Sequence, residues 1–384
     1  MNRVALKMLV GDRGKYIAII LGIVFASMLM TQQMAVFVGL MARTFSFVSD
    51  LGQPDVWVMD PKVQFIDDIK PLQDTELYRV RGVEGVQWAV PLYKGMMKAR
   101  LPDGTFQTCN VIGIDDATLI GGPPIMVQGK LEDLRQAEGI IVDDVGAKEK
   151  LAKHLPDGRT IPLQIGDTLE LNDNRATVVG ICKVTRTFQS QPVIYTTYSR
   201  ATTFAPRERK LLSFILAEAQ PGQDQQKLCG RIRQATGLAA YKRDDFKWLT
   251  VVYFMRNTGI PINIGVGVMM SFLVGTAIAG LTFYNFTMEN LRHFGTLKAM
   301  GASNGMLLRM IILQSMLVGS VGYGLGVGAA ALFGYASQHT EVAFLLLWQT
   351  LAISAGAVVI ICVLAAVISI RQVMKLEPAI VFKG

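Results

Sequence analysis

Apolar residues run without a single charge through four long segments of this chain: Tyr16 to about Ala42, Ile262 to Phe286, Met310 to Tyr335 and Val342 to Ile370. Each exceeds the roughly 20 residues that carry a helix across ~30 Å of hydrocarbon. Backbone groups find no water there, so each segment must close its own hydrogen bonds as a helix. Between the first and second segments the pattern changes to short alternating stretches punctuated by Gly, Pro and Asp, as in a domain folded in water. The pattern predicts one span, a large domain on one side of the membrane, then three more spans. Continued as helix to Val48, the first span would rise 1.5 Å per residue beyond the bilayer and form a stalk. Its length, and the lack of a small-residue cleavage site after Gln32 and Gln33, predict a retained span and not a cleaved signal.

Inside residues 49–243 the reading is α+β, in two lobes. Strands are expected at Asp55–Asp60, Val86–Pro91, Lys94–Leu101, Thr105–Ile114, Leu211–Ala219 and Leu238–Tyr241. Helices are expected at Asp74–Arg81, with Asp74 as N-cap, and at Gln223–Thr236. The outer pieces, 49–115 and 201–243, would make one α/β lobe from a split βαβ unit. Residues 116–200, with short strands at Ile140–Val142, Thr168–Leu171, Ala176–Ile181 and Val193–Thr196 and a helix at Val145–Lys153, would be an inserted, mainly β lobe. A second stalk, the amphipathic run Phe246–Arg256, leads into span two, so that 244–286 reads as stalk plus span. The remaining divisions are a 1–15 N-terminus, a 16–48 span and stalk, a 287–305 connection, a 306–335 span, a 342–370 span and a 371–384 tail.

Charge sets the orientation. The chain carries 38 Lys+Arg against 30 Asp+Glu, but residues 43–257 hold 28 and 26 of these, so most of the net +8 lies beside the spans. Arg3, Lys7, Arg13 and Lys15 precede span one; Arg292, Lys298 and Arg309 sit at the second-to-third connection; Arg371, Lys375 and Lys383 follow span four. The connection Ser337–Glu341 has no Lys or Arg. The positive-inside rule then puts both termini and the second-to-third loop in the cytoplasm, and the large domain on the opposite side of the membrane. With no basic stripe on the folded part, a nucleic-acid partner is not expected. Three cysteines, Cys109, Cys182 and Cys229, fall in the external domain and Cys362 in span four; the odd external count leaves at least one thiol unpaired within a monomer. No spacing of these with His154, His293 and His339 resembles a metal site.

The cytoplasmic connection carries more pattern than a linker needs. In the run TMENLRHFGTLKAMGASNGMLLRMIILQS (287–315), Leu291, Phe294, Leu297 and Met300 recur at helical spacing among the charged Glu289, Arg292 and Lys298. Gly295 falls within the helix and Gly301 ends it. A short amphipathic helix lying along the membrane is expected.

The stretch Glu289 to Ala302, ENLRHFGTLKAMGA, resembles the coupling segment of the FtsX/MacB-type (type VII) ABC transporter permeases, whose pattern is approximately ERxREIGILRALGA. The order of spans and the two-lobed outer domain, porter-like and small β, also resemble that family, and among its members most of all the DevC-type permeases. The resemblance implies a membrane α-helical permease with four transmembrane helices and a large extracytoplasmic α+β domain between helices 1 and 2. It implies Glu289, Arg292, Phe294, Gly295, Leu297, Lys298 and Gly301 as the ATPase-coupling residues. It further implies an ABC ATPase subunit dimer on separate chains that holds ATP and Mg, a second copy of the permease, membrane lipid, and, with two membranes, a periplasmic membrane-fusion adaptor and a TolC-like outer-membrane channel. Asn290, His293, Lys298 and Gln314 depart from the family pattern, Lys losing the planar fork of Arg.

Other patterns carry less. Gly322/Gly326 and Gly324/Gly328 alternate inside an apolar span with no strand before them, so they read as small-residue helix packing, as do Ser271, Gly275 and Ala279. Either set would serve as a helix or dimer contact. Gln32, Gln33 and Gln314 are expected to face the bundle interior. Asp115–Asp116 and Asp143–Asp144 read as loop or cap positions on a solvated surface. The chain has no phosphate loop, zincin motif or nucleophile elbow, so no catalytic residue, metal or cofactor is assigned to it, and ATP hydrolysis falls to a partner. The expected function is the transmembrane subunit of an exporter; the alternative is an FtsX-like relay that regulates an external cell-wall enzyme without transport. Haem efflux would rest on His339 and Glu341 alone. Glycolipid, lipoprotein, peptide, macrolide and haem stay open as substrates.

Overall fold

The structure, a computed structural model, describes residues 8–9, 13–101, 103–154, 159–206, 211–338 and 340–374. Of the orienting charges, Arg3, Lys7, Lys375 and Lys383 lie outside the described residues, as does His339. The chain forms two units, one of residues 41–258 and one of residues 1–40 with 259–384.

In the 41–258 unit, alternation along β1 (Val56–Met59) decides the layering. All four residues are buried, because both faces of the strand are covered. Successive side chains on a strand point to opposite faces. Val56 and Val58 therefore meet one apolar cluster, and Trp57 and Met59 another. The first cluster is roofed by α3 (Asp74–Arg81) and α6 (Gln225–Thr236), which bury Leu77, Val80, Leu228 and Ile232. Helix α6 is delimited by Asp224, whose carboxylate accepts from the Gln226 N–H at 2.8 Å, and by Gly237 at φ +75°. Helix α3 begins after Gln73, so Asp74 is in its first turn and not its N-cap; its carboxylate accepts from the Tyr198 hydroxyl at 2.7 Å. The second cluster is covered by the short α2 (Ser46–Asp50) through Phe47 and by α7 (Arg243–Asn257) through Phe246.

The sheet runs β12 (Ala239–Lys242), β1, β11 (Phe214–Ala219), β2 (Val86–Arg100), antiparallel throughout. With α3 and α6 as crossovers, this is a pair of interleaved split βαβ units. Strand β2 was expected as two strands divided near Leu92. It is a single strand of 15 residues: its first part pairs with β11, and from Tyr93 onward it pairs with β3 (Phe106–Ile114). The second lobe therefore starts within β2, earlier than residue 116, and takes in β3 as well.

That lobe is a closed ring. Strand β3 pairs parallel with β10 (Val193–Thr197), β10 with β5 (Gly139–Asp143), β5 parallel with β9 (Asn174–Lys183), β9 with β8 (Thr168–Leu171), and β8 with the end of β2. Closure removes exposed sheet edges. Met97, Cys109, Val111, Val142, Leu169 and Ile194 are among the side chains that fill it. Strand β4 (Ile125–Gln128) adds to β9 from outside the ring. The helix expected at Val145–Lys153 is shorter, α4 (Asp144–Lys148). Asp143 caps it, accepting from Gly146 N at 2.8 Å and Val193 N at 2.6 Å. Asp143 is buried and not on a solvated surface, and that burial holds its carboxyl above the usual range.

In the other unit, four helices are long and apolar enough to cross a membrane: α1 (Arg13–Thr44), α8 (Ile260–Glu289), α10 (Asn304–Ala336) and α11 (Trp348–Met374). Neither stalk is an unbroken extension of its span. Helix α1 stops at Thr44 before α2, and Thr258–Gly259 separates α7 from α8. The fourth helix starts at Trp348 and not Val342; residues 342–347 form neither helix nor strand, and Leu345 N–H donates to the Ala35 carbonyl at 3.0 Å. Close packing here rests on small residues. A Cβ on Gly275 would collide with Ala26, one on Gly322 would lie 2.8 Å from Ile23, and one on Gly326 would strike the Ser27 hydroxyl and sit 2.7 Å from the Val24 carbonyl. Ser271 and Ala279 are buried on the same helix as Gly275. Gly324 and Gly328 differ from Gly322 and Gly326 in having nothing within 4 Å of an added Cβ.

Gly326→Leu should therefore destabilise the helix bundle by about 1–3 kcal/mol, the usual range for overpacking. Gly324→Ala and Gly328→Ala should be neutral or stabilising. Thermal unfolding in detergent distinguishes them; equal melting temperatures for all three would contradict this packing.

Candidate functional site

The second-to-third connection is built from three local devices. Asn290 interrupts helix α8: its side-chain amide donates to the Phe286 carbonyl at 2.8 Å, while its own carbonyl accepts from Phe294 N–H at 3.1 Å. One residue thus ends one helix and starts the next, α9 (Leu291–Ala299). Gly301, at φ +93°, then turns the chain. Gly301 N–H donates to Lys298 O at 3.1 Å and Ala302 N–H to Leu297 O at 3.0 Å, the paired bonds of a Schellman ending. Ser303 starts α10, its hydroxyl accepting from Met306 N–H at 3.4 Å.

These devices fix which side of α9 is anchored. Phe294 is fully buried with Leu307, Met310, Ile311, Ala366 and Ile370, and Leu291, Leu297 and Ala302 pack on the same cluster. Gly295 is buried beside Phe294. The opposite side presents Arg292, His293, Thr296 and Ala299, and Glu289 is exposed just before the helix. Lys298 is half-buried. Met300 departs from the expected apolar face. The helix has already ended at Ala299, and the turn at Gly301 leaves the Met300 side chain 71 % exposed. Met306, 41 % exposed, follows it at the head of α10.

The seven residues proposed for coupling thus divide. Phe294, Gly295 and Leu297 lie on or beside the anchored face, Gly301 forms the turn, and Glu289 and Arg292 are exposed with Lys298 at the boundary. Sequence reasoning missed Met300 as an exposed apolar group and Asn290 as a cap. The Asn290 signal was legible, since a short side-chain amide competes well for backbone groups at helix ends. Between 287 and 309 the basic residues Arg292, Lys298 and Arg309 face one acidic residue, Glu289, so the exposed side suits an acidic partner.

The 41–258 unit has its own fixed points around α2 and α7. Phe65 stacks on Tyr253 at 4.2 Å and Phe188 packs against Phe254 at 4.8 Å, so loops from both lobes grip α7. Asp50, at the end of α2, accepts from the Thr185 N–H and hydroxyl at 2.8 and 2.7 Å. All four cysteines are free and buried. Burial pushes the Cys109 and Cys182 thiols well up and that of Cys229 to about 11.

Comparison with known proteins gives the following similarities. A model of the MacB-like periplasmic core domain matches residues 17–235, and one of the FtsX-like permease C-terminal region matches 265–378. An uncharacterized ABC transporter permease of Mycobacterium tuberculosis is 24 % identical over 316 residues, covering 82 % of this chain and 80 % of its own. Among solved structures, the extracellular domain of YknZ, a noncanonic ABC-type transporter from Gram-positive bacteria, covers 49 % of this chain and 99 % of its own at 14 % identity and a TM-score of 0.35. The periplasmic region of MacB from Actinobacillus actinomycetemcomitans covers 52 % of this chain and 94 % of its own at 16 % identity and a TM-score of 0.37.

Buried protonated thiols react slowly, so single reporters can be read against the native cysteines. Met300→Cys should label with a membrane-impermeant maleimide only from the cytoplasmic side. Phe106→Cys, in a position 64 % exposed, should label only from outside. Labelling of both from one side would overturn the topology.

Proposed function

Since the chain belongs to the FtsX/MacB-type family of ABC transporter permeases, we propose that it is the membrane subunit of an exporter, in which a separate ATPase drives the external domain through α9. It is a multi-pass protein of the inner membrane with its large domain outside the cytoplasm. The observation that carries the reading is the two-sidedness of α9. One side is locked into a fully buried cluster by Phe294, and the other offers Arg292, Thr296 and the Met300 side chain to a partner. A helix held in this way passes a push into α10 and α11 and does not yield to it. Its basic, partly apolar surface fits an acidic cleft with a pocket for Met300.

An ATPase dimer would grip two such helices, one from each of two permease copies related by a two-fold axis. The buried contacts of Phe47 and Phe246 suit α2 and α7 to carry displacement into the lobes. ATP and Mg would stay on the partner. Where an outer membrane is present, a membrane-fusion adaptor and a TolC-like channel would complete the path. The closed ring and the split βαβ lobe, joined by the continuous strand β2, give a large two-part external domain that would move as one against cargo, which favours export over simple relay to a wall enzyme.

Gly295→Pro breaks the centre of α9, and a Glu289→Ala/Arg292→Ala pair strips its exposed charges. In lipid discs with the partner ATPase, both variants should insert normally and hydrolyse ATP while transport falls at least about tenfold, a loss of ~1.4 kcal/mol in coupling. Full transport by both would remove α9 from the mechanism. Intact ATPase stimulation with no transported cargo, but with activation of a wall hydrolase, would favour the relay.

A further inference from the structure

The loop between β9 and β10, residues 184–192, is held from two directions. On one side it meets the two helices that adjoin the spans. The Thr185 backbone N–H and hydroxyl both donate to the Asp50 carboxylate at the end of α2, at 2.8 and 2.7 Å. The Phe188 ring packs on Phe254, in the last turn of α7, at 4.8 Å. On the other side the loop is tied to the ring. Lys150 Nζ donates to the Ser190 carbonyl at 2.7 Å, Arg186 lies 3.5 Å from Glu149, and the Gln107 amide donates to Gln191 at 3.0 Å. The Pro192 carbonyl accepts from Asn110 N–H at 2.8 Å. Between these ties the loop folds on itself: Ser190 N–H donates to the Thr187 carbonyl at 3.0 Å, with Ser190 at φ +49°. A residue other than glycine keeps that left-handed conformation only where its surroundings hold it.

The polar grip on α2 and the aromatic grip on α7 are only three residues apart, at most ~10 Å of chain. A link so short has no slack to absorb a shift of those helices. We infer that residues 184–192 form a strap that carries displacement of α2 and α7 into the ring lobe, with Asp50, Thr185, Phe188 and Phe254 as its positioning residues. The strap ends in β9 and β10, which flank β5 in the sheet, so a pull on it bears on three neighbouring ring strands at once. The first lobe has a grip of its own, Phe65 stacked on Tyr253, and each lobe therefore takes hold of α7 separately. Strand β2 joins the lobes to each other; the strap joins the ring to the helices. This role rests on the coupling reading of α9 and gives the ring a second connection beside β2.

The test uses the full chain in lipid discs with the partner ATPase and spin labels at exposed positions. Trp348→Cys with Phe106→Cys reports the ring against the membrane-spanning unit, and Trp348→Cys with Tyr78→Cys reports the first lobe. Pulsed spin–spin distances are compared without nucleotide and with trapped ATP. Both pairs should shift in the otherwise unaltered chain. Thr185→Val/Phe188→Ala removes the hydroxyl and the ring at positions outside the buried core. It should reduce the ring shift at least about twofold and leave the first-lobe shift unchanged. Thr185→Ser/Phe188→Tyr, which keeps both groups, should restore the ring shift. A ring shift undiminished by the first variant overturns the strap and leaves β2 as the carrier. Equal loss in both pairs, or no rescue by the second variant, marks general disruption and overturns it too. No shift of either pair in the unaltered chain would remove the drive through α9, and the strap with it.

Discussion

The external domain is organised by a single hydrogen-bonded strand that belongs to two sheets. Residues of β2 up to Leu92 are paired with β11, and those from Tyr93 to Arg100 with β3, with no loop between them. A loop would let the lobes swing freely; a continuous strand makes them twist together. Ser213 reinforces the crossing, accepting from Lys94 N–H at 2.9 Å and donating to its carbonyl at 3.1 Å. The ring then closes back on the same strand through β8, so the second lobe is pinned to β2 at both ends of its circuit.

The remaining layers follow from covering that shared scaffold. One sheet face is roofed by α3 and α6, and the other by α2 and α7, where Trp57 is enclosed by Phe47, Phe214 and Phe246 at ring distances of 5.5–6.1 Å. Antiparallel sheets commonly leave one face to solvent; here α2 and α7, the two elements that follow span one and precede span two, occupy it. Within the membrane-spanning unit the same economy applies. Side chains are missing where backbones must approach, at Gly275, Gly322 and Gly326, and a large one is present where the short α9 must be held, at Phe294.

Most of the architecture could be read from local pattern. Charge-free length announces a span, and α3 occupies the expected Asp74–Arg81. What failed to show was anything set by distant partners. The Pro91-Leu92-Tyr93 step looked like a break in a strand because proline lacks a ladder donor, yet β2 runs through it, changing partners near that step. Val342–Leu347 reads as span because hydropathy does not distinguish a helix from an irregular apolar strip held against α1 by the Leu345 N–H to Ala35 carbonyl bond. Met300 fits helical periodicity, but Gly301 had already turned the chain. Closure of the ring through β8 and β2 joins residues about seventy positions apart and leaves no local trace. At the coupling helix, residue types were legible, while the side each one faces depended on a core formed by helices far along the chain.

The nesting of one lobe inside the other also dictates an order of assembly. Strands β1 and β2 emerge early, but β11 and β12, their sheet partners, follow more than a hundred residues later. Contacts of such separation form slowly, since a long loop must be closed first. The ring, made from the intervening residues together with the far half of β2, brings β10 and hence β11 back toward its waiting partner. A chain emerging from a translocation pore would thus complete its inner module before its outer one, and damage to the ring would strand the first two strands unpaired.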